Sequence, residues 1–220
     1  MKLNYLFLLL IFLLPTATTQ AYNPVINIVT VPYSVTAVGG SLSLQREFLG
    51  ELKNDPHMYE FVVGSSTELY LRLAQLESDK LVPFSLILVQ QNENRGGVTE
   101  IGRTNNVKAK WEPIHDDLLG LTMDYSDPFV VTLKPGVYRV EVSTPDNVGK
   151  YVLIVGQESV DNGYFSELSN VRTIQSFFGK SMFSMLKSSY VYYPIGIVVL
   201  LIVIYQTWRR RQQISNINHA

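Results

Sequence analysis

GVYRVEVSTPDNVGKYVLIVG, residues Gly136–Gly156, alternates apolar and polar side chains on either side of one polar turn. Tyr138, Val140 and Val142 stand opposite Arg139 and Glu141, the period of two that gives a strand one buried and one solvated face. Between the two segments, Pro145, Asp146 and Asn147 are residue types that favour chain reversal. YVLIV, Tyr151–Val155, is apolar on both sides and is expected to be a central strand covered on both faces. Together the two segments predict a β-hairpin.

The same alternation recurs upstream. Leu69, Leu71 and Leu73 of ELYLRL oppose Tyr70 and Arg72, and Phe84, Leu86 and Leu88 of FSLILV oppose Ser85, Ile87 and Val89. Further strand candidates cover 25–36, 41–48, 58–63, 98–101, 107–111 and 129–133, separated by turn clusters such as VGG, ENRGG, TNN and KPG. About eight to ten short strands without a helical pattern predict a mainly β fold. The expected architecture is an antiparallel β-sandwich or jelly-roll ectodomain over residues 22–165.

Both ends of the chain carry a different pattern. Lys2, an apolar run from Tyr5 to Leu14, Pro15, and small residues at Thr19 and Ala21 predict a signal peptide over 1–21. That run makes a helix only ~15 Å long, too short to cross a bilayer. Over 166–187, Ile174, Phe177, Phe178, Met182, Met185 and Leu186 recur at helical spacing and predict a juxtamembrane amphipathic helix. It could lie in the lipid interface or pack on the sandwich, and Gly179 could bend it. Residues 188–208 hold no charge, reach ~28–30 Å as a helix, and predict one transmembrane helix. Tyrosines at one end and Tyr205 and Trp208 at the other have the distribution of interface belts. Arg209, Arg210 and Arg211 open a short basic tail, 209–220, that is expected to stay cytoplasmic.

Composition narrows the partners. Of 18 basic residues, Lys2 and the three tail arginines lie outside the exterior, leaving 14 against 19 acidic ones. An acidic exterior argues against nucleic acid as a partner. The chain has no cysteine, so a hydrophobic core must hold it without disulfides. No Asn begins an N-glycan acceptor triplet, which fits a bacterial or archaeal envelope.

One cluster has chemical potential. WEPIHDDLLGLTMDYSDP brings His115, Asp116, Asp117, Asp124 and Asp127 close in sequence, hard oxygen ligands and one imidazole that a cation could use. The alternating acidic spacing of a wrapped cation loop is missing, and Asp also caps turns, so a solvated loop is expected, with no metal, cofactor or catalytic residue. FFGKS lacks the glycine of a phosphate loop, with Ile174 in its place. His57 and His219 are isolated and read as surface histidines. Trp111 and the exterior tyrosines are candidates for a carbohydrate or peptide platform, or for core packing.

LKPGVYRVEVSTPDNVGKYVLIVG resembles the last two strands of pre-peptidase C-terminal type β-sandwich domains, in its Pro135–Gly136 turn, its Tyr138–Val142 strand and its Gly149–Val155 strand. The order of parts is also similar to single-pass surface proteins of bacteria and archaea. A remoter likeness is to the Golgi-dynamics sandwich of cargo receptors, whose disulfide has no counterpart here. The first resemblance implies a non-catalytic accessory module. The expected function is a membrane-anchored extracytoplasmic binding or structural module of the cell envelope, with contacts on loops far from the membrane. Its partners would be membrane lipid and an envelope polymer or another membrane protein. Alternatives are an accessory subunit of an integral membrane complex and a metal-dependent surface hydrolase.

Overall fold

Leu69, Leu71 and Leu73 point into one interior, and that interior is the gap between two sheets. The computed structural model describes residues 21–29, 31–92, 96–104, 110–160 and 162–217. The expected signal peptide lies outside the described residues except for Ala21, and so does His219. The first sheet has seven strands: β1 (Pro24–Asn27), β3 (Arg46–Lys53), β12 (Val148–Val155), β5 (Thr67–Leu76), β9 (Leu121–Tyr125) and β8 (Glu112–Asp116) in that order, with β10 (Phe129–Leu133) also on β5. The second runs β2 (Val35–Ala37), β4 (His57–Val63), β11 (Gly136–Ser143), β6 (Ser85–Asn92) and β7 (Gly97–Thr104). The chain is mainly β and the two sheets form a sandwich.

The expected hairpin is not one. β11 pairs with β4 and β6, whereas β12 pairs with β3 and β5, so the turn between them carries the chain from one sheet to the other. The reason lies in the outer faces. β11 alternates cleanly and its Arg139 meets Glu60 at 2.8 Å on the solvated side. β12 is apolar on both sides and belongs in the sheet that is covered twice. Thr144 and Asn147 close the crossover themselves: Val148 N–H donates to Thr144 Oγ1 at 3.1 Å, and Thr144 N–H to Asn147 Oδ1 at 3.2 Å.

A second difference is at the start. The single strand expected over 25–36 is split between the sheets, β1 pairing parallel with β3 and β2 parallel with β4. Tyr33, at φ 58, turns the chain between them. The sandwich is otherwise antiparallel.

Aromatic residues fill the interior around Tyr151. Its hydroxyl is 2.8 Å from both Tyr59 Oη and His57 Nδ1, and Asn27 Nδ2 donates to Tyr59 Oη at 3.0 Å. His57 is therefore buried, at 3% exposure, and not the surface histidine expected. Burial pushes its pKa down, against a smaller opposite effect of Asp55. The Tyr151 ring lies across Gly50, its register partner. A Cβ there would stand 2.4 Å from Tyr151 Cζ, so only glycine fits.

The outer face of the seven-stranded sheet is covered by α1 (Tyr164–Phe177), whose Val171 and Ile174 pack among Leu49, Val152 and Met123. Burial of each such side chain is worth roughly 1.5–3 kcal/mol. The helix expected over 166–187 is interrupted: Gly179, at φ 72, ends it while Lys180 N–H donates back to Gln175 at 2.9 Å. A 3₁₀ turn, Met182–Lys187, then leads to α2 (Ser189–Ile217). Within α2, Ser189–Arg211 has mean hydropathy 1.7 with none of its apolar window buried, and is long and apolar enough to cross a membrane.

Gly50→Ala should force Tyr151 from its place and lower stability by about 1–3 kcal/mol, the usual range for overpacking. Chemical denaturation of the full chain in detergent checks this, with a lower midpoint expected at unchanged slope.

Candidate functional site

Where α2 begins, the described residues line an open cavity of ≈ 870 Å³. Its floor is the outer face of β5 and β12, including Tyr70, Arg72 and Ile154, and its far wall is the start of α2, from Tyr190 to Ile197. Period-two alternation places Tyr70 and Arg72 there, because their neighbours Leu69, Leu71 and Leu73 face the interior. Arg72 is held in place: Nε donates to the Ser126 carbonyl at 2.9 Å, and its guanidinium lies 4.6 Å over the Tyr125 ring. Burial raises the pKa of Tyr125, with the Asp116 charge adding to it and Arg72 opposing.

Three carboxylates, Glu47, Asp116 and Asp117, line the same cavity, and His115 lines it with them. Glu47, 2% exposed, accepts hydrogen bonds from Gln45 Nε2 and Asn23 N–H, both at 2.6 Å. Burial nevertheless pushes its pKa up to about 7, and the Glu167 charge adds to the rise. Asp116 accepts from the amides of Leu118 and Leu119, both at 3.0 Å, and from the Tyr22 hydroxyl. Tyr22 is raised well above its ordinary pKa, first by burial and then by the Asp116 charge.

The acidic cluster forms no loop. Glu112–Asp116 and Leu121–Tyr125 pair as the β8–β9 hairpin, with Gly120 at φ +62 in its turn. Pairing separates the candidates by face. Asp116 opposes Leu121, whereas His115 opposes Thr122 on the other side, with Nδ1 3.2 Å from Thr122 Oγ1. Asp117 meets His115 only at 3.6 Å on the exposed rim. Asp124 lies on the His115 face, its pKa raised by burial and by Glu77. Asp127 is exposed beyond the strand. Among the described residues no group of three or more His, Asp or Glu converges as a metal would require.

What the turn does is mechanical. Its three successive carbonyls face the helical segment: Asp117 accepts from Ser189 N–H at 2.9 Å, Leu118 from Ser188 Oγ at 2.5 Å, and Leu119 from Gln175 Nε2 at 2.7 Å. The backbones touch, since a Cβ on Gly120 would lie 2.6 Å from the Lys187 carbonyl carbon. The turn thus fastens the sandwich to the start of α2.

Of the aromatic candidates, Trp111 packs against the interior and takes no part. Tyr22, Tyr70, Tyr125, Tyr164 and Tyr190 all line the cavity. Arg72 and Tyr70 were visible in the sequence as a solvated strand face. Glu47 gave no such signal, because nothing local marks a strand carboxylate as buried.

Some solved structures are similar to part of the chain. The chain is similar to the pre-peptidase C-terminal domain of a collagenase from Bacillus anthracis, at 15% identity and TM-score 0.37 over 58% of this chain and 98% of that one. It is also similar to the Yersinia pseudotuberculosis-derived mitogen, at 15% identity and TM-score 0.34 over 54% and 91%, and to a periplasmic inhibitor of g-type lysozyme from Aeromonas hydrophila, at 12% and 0.34 over 62% and 100%. No protein-family model matches the chain, and no curated protein does.

Gly120→Ala should open the contact between the turn and Lys187, because both the positive φ and the close approach exclude a side chain. Loss of about 1–3 kcal/mol of local stability is expected. Trypsin digestion of the full chain in detergent reads it as faster cleavage after Lys180 and Lys187, with the sandwich itself cut no faster.

Proposed function

We propose that this chain is a single-pass membrane protein whose sandwich is displayed outside the cytoplasm as a non-catalytic binding module of the cell envelope. The reading rests on one observation: the cavity takes one wall from the sandwich and the other from α2. Such a site exists only where the domain meets the bilayer surface. Beyond its first turns α2 presents an apolar surface that lipid would cover, and where Pro194 offers no N–H the Tyr190 carbonyl accepts from the Tyr164 hydroxyl at 2.5 Å. The arginines Arg209–Arg211 favour a cytoplasmic C-terminus. Phe165, Met182, Phe183 and Leu186 are all more than half exposed in the segment leading to α2, and such side chains stabilise a helix in the interface.

The lining suits a polyhydroxylated ligand, a sugar unit of an envelope polymer close to the membrane. Tyrosine faces stack on sugar rings, while phenol hydroxyls, Arg72 and the carboxylates exchange hydrogen bonds with hydroxyl groups. With the full chain in nanodiscs, saturation-transfer NMR against fragments of envelope glycan should show transfer to sugar protons. Arg72→Ala together with Tyr70→Ala should weaken binding at least about tenfold, the scale of losing hydrogen bonds to a charged group. No transfer to the unmodified chain, or equal transfer to the variant, contradicts the reading.

The bare surface of α2 also favours a second reading, an accessory subunit that packs α2 against another membrane protein. Purification in mild detergent separates the two: a co-purifying integral protein supports the subunit, and a monodisperse single chain supports the module.

A further inference from the structure

Glu47 and Glu167 are buried, at 2% and 3% exposure, on neighbouring elements. The charge of Glu167 acts on Glu47. Among the described residues the ion pairs are Lys53–Glu51, Arg103–Glu100, His115–Asp117 and Arg139–Glu60, so neither of the two has a cation. Arg72, in the same cavity, is engaged with Ser126 and Tyr125. Two buried carboxylates without a positive partner are costly to hold ionised.

What stands between them is the backbone of Tyr22 and Asn23. Tyr22 N–H donates to Glu167 Oε2 at 2.9 Å, and Asn23 N–H to Glu47 Oε2 at 2.6 Å. The rest of Tyr22 is held from several sides. Its carbonyl accepts from Asn162 Nδ2 at 3.2 Å and from Asn170 Nδ2 at 2.6 Å, and its hydroxyl donates to Asp116. Asn162 Nδ2 also donates to Glu167 Oε1 at 2.9 Å, fixing that carboxylate. In sequence, Tyr22 directly follows Thr19-Gln20-Ala21, the small-residue pattern of a signal cleavage site.

We infer that Tyr22 is the first residue of the mature protein and that its α-ammonium group is the missing cation, seated on Glu167 with Glu47 as the second charge. Hydrolysis of the Ala21–Tyr22 peptide bond by a signal peptidase adds water across it. The C–N bond breaks, Ala21 keeps a carboxylate, and Tyr22 gains a protonated amine. This happens on the unfolded chain during export, so the burial of Tyr22 in the folded state is no obstacle. The position that donated one amide hydrogen to Glu167 then carries three donors and a full charge. Signal removal therefore completes the fold, joining β1, α1 and the β8–β9 turn at the rim of the cavity. The inference rests on the exported topology proposed above.

The test begins with intact mass and N-terminal sequencing of the membrane-extracted chain. A first residue of Tyr22 is expected. Cleavage at another site overturns the inference and leaves the exported topology standing, while an uncleaved chain overturns both. Next, chains beginning at Tyr22 and at Ala21 are compared in detergent, each with native Glu167 and with Glu167→Gln. One retained residue should lower the folding constant at least about tenfold with Glu167 present, and by less than about threefold with Gln. Equal losses in both backgrounds overturn the pairing. A measurement without a side-chain variant is acetylation of the terminal amine at pH 8. The Tyr22 amine should react at least about tenfold more slowly than the Ala21 amine, because the docked group stays protonated. Equal rates contradict the seat.

Discussion

β12 has two apolar faces, and keeping both from water is the constraint that organises everything else. Tyr151, Leu153 and Val155 face the sandwich interior, and Val152 and Ile154 face outward. A two-layer sandwich covers only the first set. The chain supplies its own third layer, α1, whose Val171 and Ile174 close over the second. That cover sets where α1 ends, and hence where the 3₁₀ turn and α2 begin. The same constraint explains why β11 and β12 part into different sheets, since only one of the two has an outer face that water tolerates.

The cavity follows from this layering. α1 covers part of the sheet's outer face, and the β8–β9 turn meets the segment leading to α2, leaving an open space between. The polar groups along its edges are nearly all committed to structure: Asp116 caps its own turn, Arg72 binds the Ser126 carbonyl, and Ser188 binds the Leu118 carbonyl. Aromatic faces, rim hydroxyls and the hydrogen-bonding capacity that Arg72 and the carboxylates keep beyond these contacts are left to a ligand. This is the physical basis of the proposed binding module, whose site would lie beside the start of α2.

Much of the interior was legible because strand alternation is local. Leu69, Leu86 and Val140 declare their face through their immediate neighbours, and the apolar stretch 188–208 declares itself by length. Partnering is not local. Nothing within Gly136–Gly156 reveals that its turn crosses between sheets, and nothing within 25–36 reveals that the segment divides between them. The acidic cluster, expected as a solvated loop, forms a paired hairpin for a related reason. Pairing puts Asp116 and Asp124 on opposite faces of that hairpin, and Asp117 falls in its turn. Tyr22 was illegible because it is held by Glu167 and Asn170, well over a hundred residues away in the chain, and Glu47 because its partner Asn23 belongs to a separate segment.

The turn carbonyls at Asp117, Leu118 and Leu119 fasten the sandwich to the segment that opens α2, so the two are expected to move as one unit. Because the chain has no cysteine, two can be introduced cleanly: at Val62, 72% exposed on β4, and at Val199, 54% exposed on α2. Pulsed electron–electron double resonance between nitroxides at these positions, with the full chain in nanodiscs, measures their separation directly. A single narrow distance distribution is predicted. A broad distribution, as a flexible connection between domain and helix gives, would contradict the account.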